Sequence, residues 1–186
     1  MMLSACALLW TVSDGSAQVA QSVPTVAKVS GDTFTNPLLQ NGADPWVIWW
    51  KGFYYYSNTS SKNLTLRKTD DITDLRNAEA KEVWVPEPGN PWSNDLWAPE
   101  LHRWGNKWYI YFAADAGDND SHRIYVVEND NDDPIEGTWK LKGKVGDSSD
   151  KWAIDATLFE LSGNHYLVWS GWKGDSDGEQ DPPGLC

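Results

Sequence analysis

Basic residues are scarce in this sequence. The 186 residues contain 15 Lys and Arg against 27 Asp and Glu, which gives a formal net charge of −12. A nucleic-acid backbone requires a basic surface, and an anionic membrane attracts clusters of Lys and Arg. The composition therefore argues against nucleic acid and membrane partners, whereas an uncharged ligand such as a sugar meets no electrostatic penalty.

Cysteine is nearly absent, and long apolar runs are missing. The apolar run over residues 3–12 is too short to span a bilayer as a helix. Small residues follow it, so we predict a secretory signal peptide over 1–20, although no Lys or Arg precedes the run, and a linker over 21–31. Loss of Cys6 with this segment leaves Cys186 without a partner, so cysteine content does not identify the compartment.

Three N-x-S/T sequons fit a secreted, extracellular protein, although motifs this short often arise by chance. They begin at Asn58, Asn63 and Asn119.

Metal-ligand and nucleophile motifs are also missing. Acidic stretches at 115–120, 128–133 and 175–177 do not complete an EF-hand pattern, so we expect solvated loops, no metal and no cofactor. The histidines lack metal-ligand spacing, and we expect them at surface or strand positions. They are His102, His122 and His165.

Tryptophan is present in excess, with 13 Trp and 7 Tyr against 4 Phe. Trp and Tyr combine a flat apolar face with a polar group, and the C–H face of a sugar ring stacks well on indole. The alternative is that these rings fill a β core. In an acidic domain, so much tryptophan favours a carbohydrate ligand.

From residue 36 onward, short aromatic and β-branched runs alternate with Gly, Asn and Asp, which predicts strands. Only 68–80 could hold a single helical turn. Three copies of one pattern begin at residues 43 (ADPW), 98 (APEL) and 154 (IDAT). Each opens with a carboxylate beside small residues, then an apolar strand, a tight turn and an aromatic strand. The predicted turns are Lys51-Gly52, Gly105-Asn106 and Gly163-Asn164.

A period of about 55 residues fits a four-stranded blade of a β-propeller, with a coincidental likeness in a β-sandwich as the alternative. Blades aim their first strands at one axis, so Asp44, Glu100 and Asp155 would meet there. Three copies do not close a ring, and we predict an incomplete propeller over 32–180. A Pro-Pro pair cannot serve a strand ladder, so 181–186 is expected to be an aberrant tail of a fragment or altered gene.

Several segments together resemble glycoside hydrolase family 43, which contains α-L-arabinofuranosidases, endo-arabinanases and β-xylosidases. They are NGADPW at 41–46, LWAPEL at 96–101, AIDA at 153–156 and the strand at 166–172. The resemblance covers roughly 32–180. It implies an all-β, five-bladed propeller, of which this chain holds about three blades, and an inverting hydrolase with three acidic residues in a central pocket.

The resemblance assigns two roles here. Asp44 matches the general base, and Asp155 matches the carboxylate that tunes the pKa of the general acid. That acid is a Glu of the next blade, which no residue here matches; Glu179 lacks the motif's context. In inverting hydrolysis the acid and base stand roughly 6.5–9.5 Å apart to admit water. The structural alternatives are a turn cap for Asp44 and an internally paired carboxylate for Asp155.

Glu100 is expected to brace the pocket, and Trp46 and Trp97 are candidates for stacking on a sugar or for core packing. We therefore predict a secreted glycoside hydrolase acting on arabinan or arabinoxylan of plant cell walls, most like an α-L-arabinofuranosidase. The alternatives are a β-xylosidase, a non-catalytic carbohydrate-binding propeller and a protein-interaction propeller.

Overall fold

The structure is a computed structural model, and it describes residues 34–172 and the backbone of 184–185. The predicted signal peptide, the linker and Glu179 lie outside these residues. Three antiparallel sheets follow one another along the chain. Sheet 1 comprises β1 (Trp46–Trp50), β2 (Phe53–Ser57), β3 (Leu64–Thr69) and β4 (Ala80–Trp84). Sheet 2 comprises β5 (Asn94–Trp104), β6 (Lys107–Asp115), β7 (Arg123–Asn129) and β8 (Lys140–Val145). Sheet 3 comprises β9 (Ala153–Leu161), β10 (Asn164–Gly171) and β11 (Gly184–Leu185).

Helical structure is confined to two short 3₁₀ helices in the described residues, Ile72–Asn77 and Asn119–Ser121. The prediction of an all-β fold is confirmed. The first helix lies within 68–80, where a single turn was predicted, but its six residues form two short turns joined by a kink at Asp74. Asp71 caps the first helix, because its carboxylate accepts the backbone N–H of Thr73. Neither helix has the length or the apolar composition needed to cross a bilayer.

Tight two-residue turns join the first two strands of every sheet. Lys51 and Gly52 have φ of 47° and 89°, and Ser162 and Gly163 have φ of 53° and 77°, as type I′ turns require. Gly105 alone is left-handed in the middle turn, with φ of 60°. The third turn therefore lies one residue earlier than predicted, because Asn164 already pairs with Leu161.

A left-handed residue occurs at the same place on, or just before, the first strand of each sheet. Counted back from the hairpins, Asp44, Ala98 and Asp155 are equivalent, with φ of 52°, 43° and 56°. In sheets 2 and 3 the ladder register shifts at this residue, as at a β-bulge. The expectation that Glu100 is equivalent to Asp44 is wrong. Asp44 lies six residues before Trp50, the last residue of β1, and the residue six before Trp104, the last of β5, is Ala98.

Sheet 2 is buried on both faces. Along β6, Trp108, Ile110 and Phe112 belong to a core shared with sheet 1. The alternate residues Tyr111 and Ala113 belong to a core shared with sheet 3. This period of two explains why β6 reads as an almost continuous apolar run. It also brings β1 and β9 to the two sides of β5.

Acidic residues of the connection between β7 and β8 join sheet 2 to sheet 1. Lys51 pairs with Asp132 at 2.6 Å, and Lys68 pairs with Asp133 at 2.5 Å. The acidic stretch 128–133 is thus an inter-sheet contact rather than only a solvated loop. The Lys51–Asp132 pair is exposed and contributes little on its own, whereas the Lys68–Asp133 pair is half-buried.

Sheet 3 is covered on one face only within the described residues. Phe159 and Leu161 on the other face are 44% and 58% exposed, and Phe159 stacks on Tyr166 with ring centroids 5.4 Å apart. At the edge, Gly184–Leu185 pairs with β10. Part of the predicted aberrant tail therefore joins the ladder. The three described sheets do not close a ring.

Candidate active site

Three carboxylates from three different sheets converge where the first strands lie side by side. Asp44 immediately precedes β1, Glu100 lies on β5 and Asp155 on β9. Burial raises the pKa of Asp155, and the negative charges of Asp44 and Glu100 raise it further. We call these three residues the carboxylate cluster. The meeting of Asp44 and Asp155 that the repeat predicted is present; their catalytic roles stay predictions.

Asp44 and Asp155 have left-handed backbone conformations, which only a few residue types adopt readily. Asp tolerates this region better than most side chains because its short polar group can bond locally. Asp44 does so: its Oδ2 accepts a hydrogen bond of 2.6 Å from the Thr59 hydroxyl. Asp44 and Asp155 are both exposed residues, and neighbouring groups desolvate the Asp155 carboxyl only in part, so each carboxylate still faces solvent.

Glu100 is held by a histidine. Its Oε2 lies 2.9 Å from Nε2 of His102, and the His102 side chain is 9% exposed. The His102 ring packs against Trp46 with centroids 4.8 Å apart and edge-on against Tyr111. His102 is on a strand, as expected, but is part of the site. Its spacing of two from Glu100 places both on one strand face, and this signal was available in the sequence.

Trp46 is tied to sheet 2, since its indole Nε1 donates to the Leu101 carbonyl at 2.8 Å. The ring is half-buried. This contact gives Trp46 a packing role between sheets 1 and 2. Stacking of a sugar on Trp46 stays a prediction.

Trp97 stacks on a buried histidine. Its ring centroid lies 4.0 Å from that of His122 at an interplanar angle of 29°. His122 and Asp115 are both fully buried, with Nδ1 and Oδ2 3.3 Å apart. The expectation of a surface or strand position for His122 is wrong, because the residue ends the second 3₁₀ helix inside the fold. Nothing in the local sequence indicated this burial.

The remaining histidine, His165, lies on β10 as expected, and its Nε2 is 3.9 Å from Glu160. Across the described part of the chain, no three His, Cys, Asp or Glu residues lie close enough together to hold a metal ion.

The raised pKa of Asp155 predicts a stability change. Protons bind Asp155 more tightly in the folded than in the unfolded chain, so folded-state stability falls as pH rises through the ordinary Asp range toward the raised pKa. Asp155→Asn should therefore be more stable than wild type at pH 7. The gain should be below about 1 kcal/mol, because solvent screens an exposed carboxylate. It should vanish below about pH 3.9, the pKa of unperturbed Asp.

Urea unfolding of both proteins between pH 4 and pH 8 measures the difference. Asp70 is exposed and outside the carboxylate cluster, so Asp70→Asn is the matched control and should follow the wild-type curve. A stability gain for Asp155→Asn that stays constant over this pH range would contradict the electrostatic cause.

A class of protein follows from this arrangement: an all-β protein with repeated sheets whose first strands carry converging carboxylates. The sequence model described as "Glycosyl hydrolases family 43" matches residues 34–182, and the chain belongs to this family.

Named relatives agree with the family. Over 141 residues the chain is 38% identical to "Extracellular exo-alpha-(1->5)-L-arabinofuranosidase" of Streptomyces chartreusis, covering 74% of this chain and 43% of that protein. It is 32% identical over 170 residues to "Alpha-L-arabinofuranosidase B" of Pyricularia oryzae, covering 83% and 35%. The solved α-L-arabinofuranosidase of Lactobacillus brevis superposes with a TM-score of 0.74 at 30% identity, covering 82% of this chain and 50% of that one.

The chain thus spans less than half the length of the two curated relatives and half of the solved one.

Proposed function

We propose that the chain belongs to a secreted, five-bladed β-propeller glycoside hydrolase that releases α-L-arabinofuranosyl groups with inversion. The observation that carries this proposal is the convergence of Asp44 and Asp155. The two residues occupy equivalent left-handed places, Asp44 just before β1 and Asp155 on β9, and the negative charge of Asp44 acts on Asp155. The printed names of the relatives support arabinofuranose as the sugar.

Asp44 is the general base in this proposal. Its carboxylate removes a proton from a water molecule as that water attacks the anomeric carbon on the face opposite the leaving group. Its exposed side chain leaves room for water. A general base acts in its charged form, because only the carboxylate accepts the proton.

Asp155 is the modulating carboxylate. A negative charge beside a carboxylic acid disfavours loss of its proton and so raises its pKa into the range that a general acid needs. Asp155 itself feels this effect from Asp44 and Glu100. In this proposal it exerts the same effect on the Glu that protonates the leaving oxygen, which the family resemblance places in the following blade.

The proposed substrates are the arabinose side chains and termini of plant arabinan and arabinoxylan. One relative is named an extracellular exo-acting α-(1→5) enzyme, which supports both the linkage and secretion. The net charge of −12 suits a neutral polysaccharide. Trp97, half-buried and backed by His122 on one face, is the proposed sugar platform, and Glu100 braces the pocket.

An activated substrate tests the proposal without depending on the general acid. Dinitrophenolate departs without protonation, so cleavage of dinitrophenyl α-L-arabinofuranoside requires the base alone. We expect the full chain to release dinitrophenolate and NMR to show the inverted anomer of arabinose first. The matching β-D-xyloside should react at least about 10-fold more slowly, in the range that a few lost contacts give.

Calorimetric titration with arabino-oligosaccharides, together with the turnover assay, distinguishes the proposed hydrolase from the alternative functions. Binding without turnover would replace the hydrolase by a carbohydrate-binding propeller. Faster xyloside cleavage would identify a β-xylosidase. Absence of both binding and turnover would remove any carbohydrate function.

A further inference from the structure

The hydroxyl group of Thr59 links the carboxylate cluster to the strained backbone of the next sheet. Thr59 Oγ1 lies 2.6 Å from Asp44 Oδ2. The same Oγ1 lies 2.7 Å from the backbone nitrogen of Ala98. Thr59 follows the end of β2, while Ala98 is the left-handed residue of β5. One side chain of sheet 1 therefore contacts two of the three equivalent left-handed residues.

The direction of these two hydrogen bonds is fixed by chemistry. A backbone N–H can only donate, so Ala98 donates to a lone pair of Thr59 Oγ1. The hydroxyl carries a single proton, and the carboxylate of Asp44 can only accept, so that proton points at Oδ2. The hydroxyl thus has one orientation, and its bond to the charged carboxylate is of the stronger, charge-assisted kind.

A second hydroxyl holds the same bulge. Ser57 is 1% exposed, and its Oγ donates to the carbonyl of Pro99 at 2.8 Å. Ser57 and Thr59 are two residues apart and bind the backbone of two neighbouring residues of β5, the carbonyl of Pro99 and the N–H of Ala98. Together they fix the position of β5 against the segment that carries Asp44.

We propose that Thr59 is a positioning residue for the reaction: its hydroxyl holds Oδ2 of Asp44 and leaves Oδ1 free to face the attacking water. Among the described residues, Thr59 is the one hydrogen-bond donor to Asp44. Without it the carboxylate is free to rotate, and the base oxygen loses its fixed place. The inference rests on the proposed function, since it assigns a partner to the proposed base.

Two substitutions separate the hydroxyl from the shape of the side chain. Thr59→Val keeps the shape and removes the hydroxyl, whereas Thr59→Ser keeps the hydroxyl. With dinitrophenyl α-L-arabinofuranoside as substrate, Thr59→Val should lower kcat about 10- to 100-fold, because small misplacement of a reacting group costs this much. KM should change less than about 3-fold. Thr59→Ser should recover most of kcat.

Thr69→Val is the matched control, since it removes a hydroxyl that bonds only the backbone of the nearby Asp71, donating to its carbonyl at 2.9 Å and accepting its N–H at 3.1 Å; its kcat should equal that of wild type. Retention of kcat by Thr59→Val, while Asp44→Asn loses it, would overturn the inference and leave the proposed function standing. Equal losses in the Ser and Val variants would also overturn it.

A readout independent of turnover keeps the two proposals distinguishable. Hydrogen exchange at the Ala98 amide should be at least about 10-fold faster in Thr59→Val, because its acceptor is gone, and near wild type in Thr59→Ser. A wild-type chain without turnover would sink the proposed function. In that case the positioning role falls together with the proposed base, and the Ala98 exchange rates report only whether the Thr59 hydroxyl holds β5.

Discussion

Asp44→Asn should lower kcat/KM for dinitrophenyl α-L-arabinofuranoside about 1,000-fold, because a general base contributes roughly 10²- to 10⁴-fold to such a reaction. Asn has the same shape, tolerates left-handed backbone and can still accept the Thr59 hydrogen bond. The fold is therefore expected to persist, and the loss should fall on kcat. Steady-state kinetics of the full chain, with circular dichroism of the variant, measure both.

Asp70→Asn is the control for this substitution, because Asp70 is exposed on the turn after β3 and outside the carboxylate cluster. Its kinetics should match wild type. If added azide, a small external nucleophile, restores turnover of Asp44→Asn, the base assignment gains support. An Asp44→Asn variant with wild-type kcat/KM would remove Asp44 from the chemistry.

Trp108→Ala should lower the free energy of unfolding by about 3–5 kcal/mol, the usual cost of truncating a buried aromatic residue. Trp108 is fully buried between sheets 1 and 2. Its ring meets that of Trp50 edge-on at 5.9 Å, and the guanidinium of Arg103 lies 5.1 Å from the ring. Its indole Nε1 also donates to the carbonyl of Asp132 at 3.0 Å. Such a loss is a large part of a domain's stability.

Urea unfolding measures this loss of stability. We expect the slope of the unfolding free energy against urea concentration to be the same for wild type and variant. Trp104→Ala is the matched control, because Trp104 lies on the neighbouring strand and is 44% exposed. It should cost less than about 1 kcal/mol, as most surface substitutions do. Similar losses for the two tryptophans would contradict the placement of the core between sheets 1 and 2.

The repeat in the sequence was enough to predict the strands and the meeting of Asp44 with Asp155. Both depend on local patterns, namely hairpin turns and alternating side chains, which short stretches of sequence carry. The equivalence of Glu100 with Asp44 was predicted wrongly, because a bulge shifts pairing by one residue without changing composition. The equivalence of Asp44 with Ala98 can be recognised only when the two hairpins are aligned on their turns.

Contacts made by the residues at the strand ends were harder to predict than the strands themselves. Glu100 and His102 are on one face of one strand, so their pairing follows from spacing. The burial of His122 against Asp115, and the bond from Thr59 to Asp44, join segments 7 and 15 residues apart in sequence through turns. The sequence does not determine the conformation of these turns, so the two contacts could be identified only from the folded structure.

The left-handed backbone at Ala98 has a consequence for how this site could change. Alanine gains nothing from that conformation, and its Cβ costs roughly 1–2 kcal/mol there relative to the relaxed chain. Gly, Asn or Asp would suit the position better on conformational grounds. Substitution of Ala98 by Asp would thus relieve the backbone and add a further anion beside Asp44 and Asp155. The neutral methyl group of Ala98 therefore leaves the carboxylate cluster without a further negative charge at the third left-handed position.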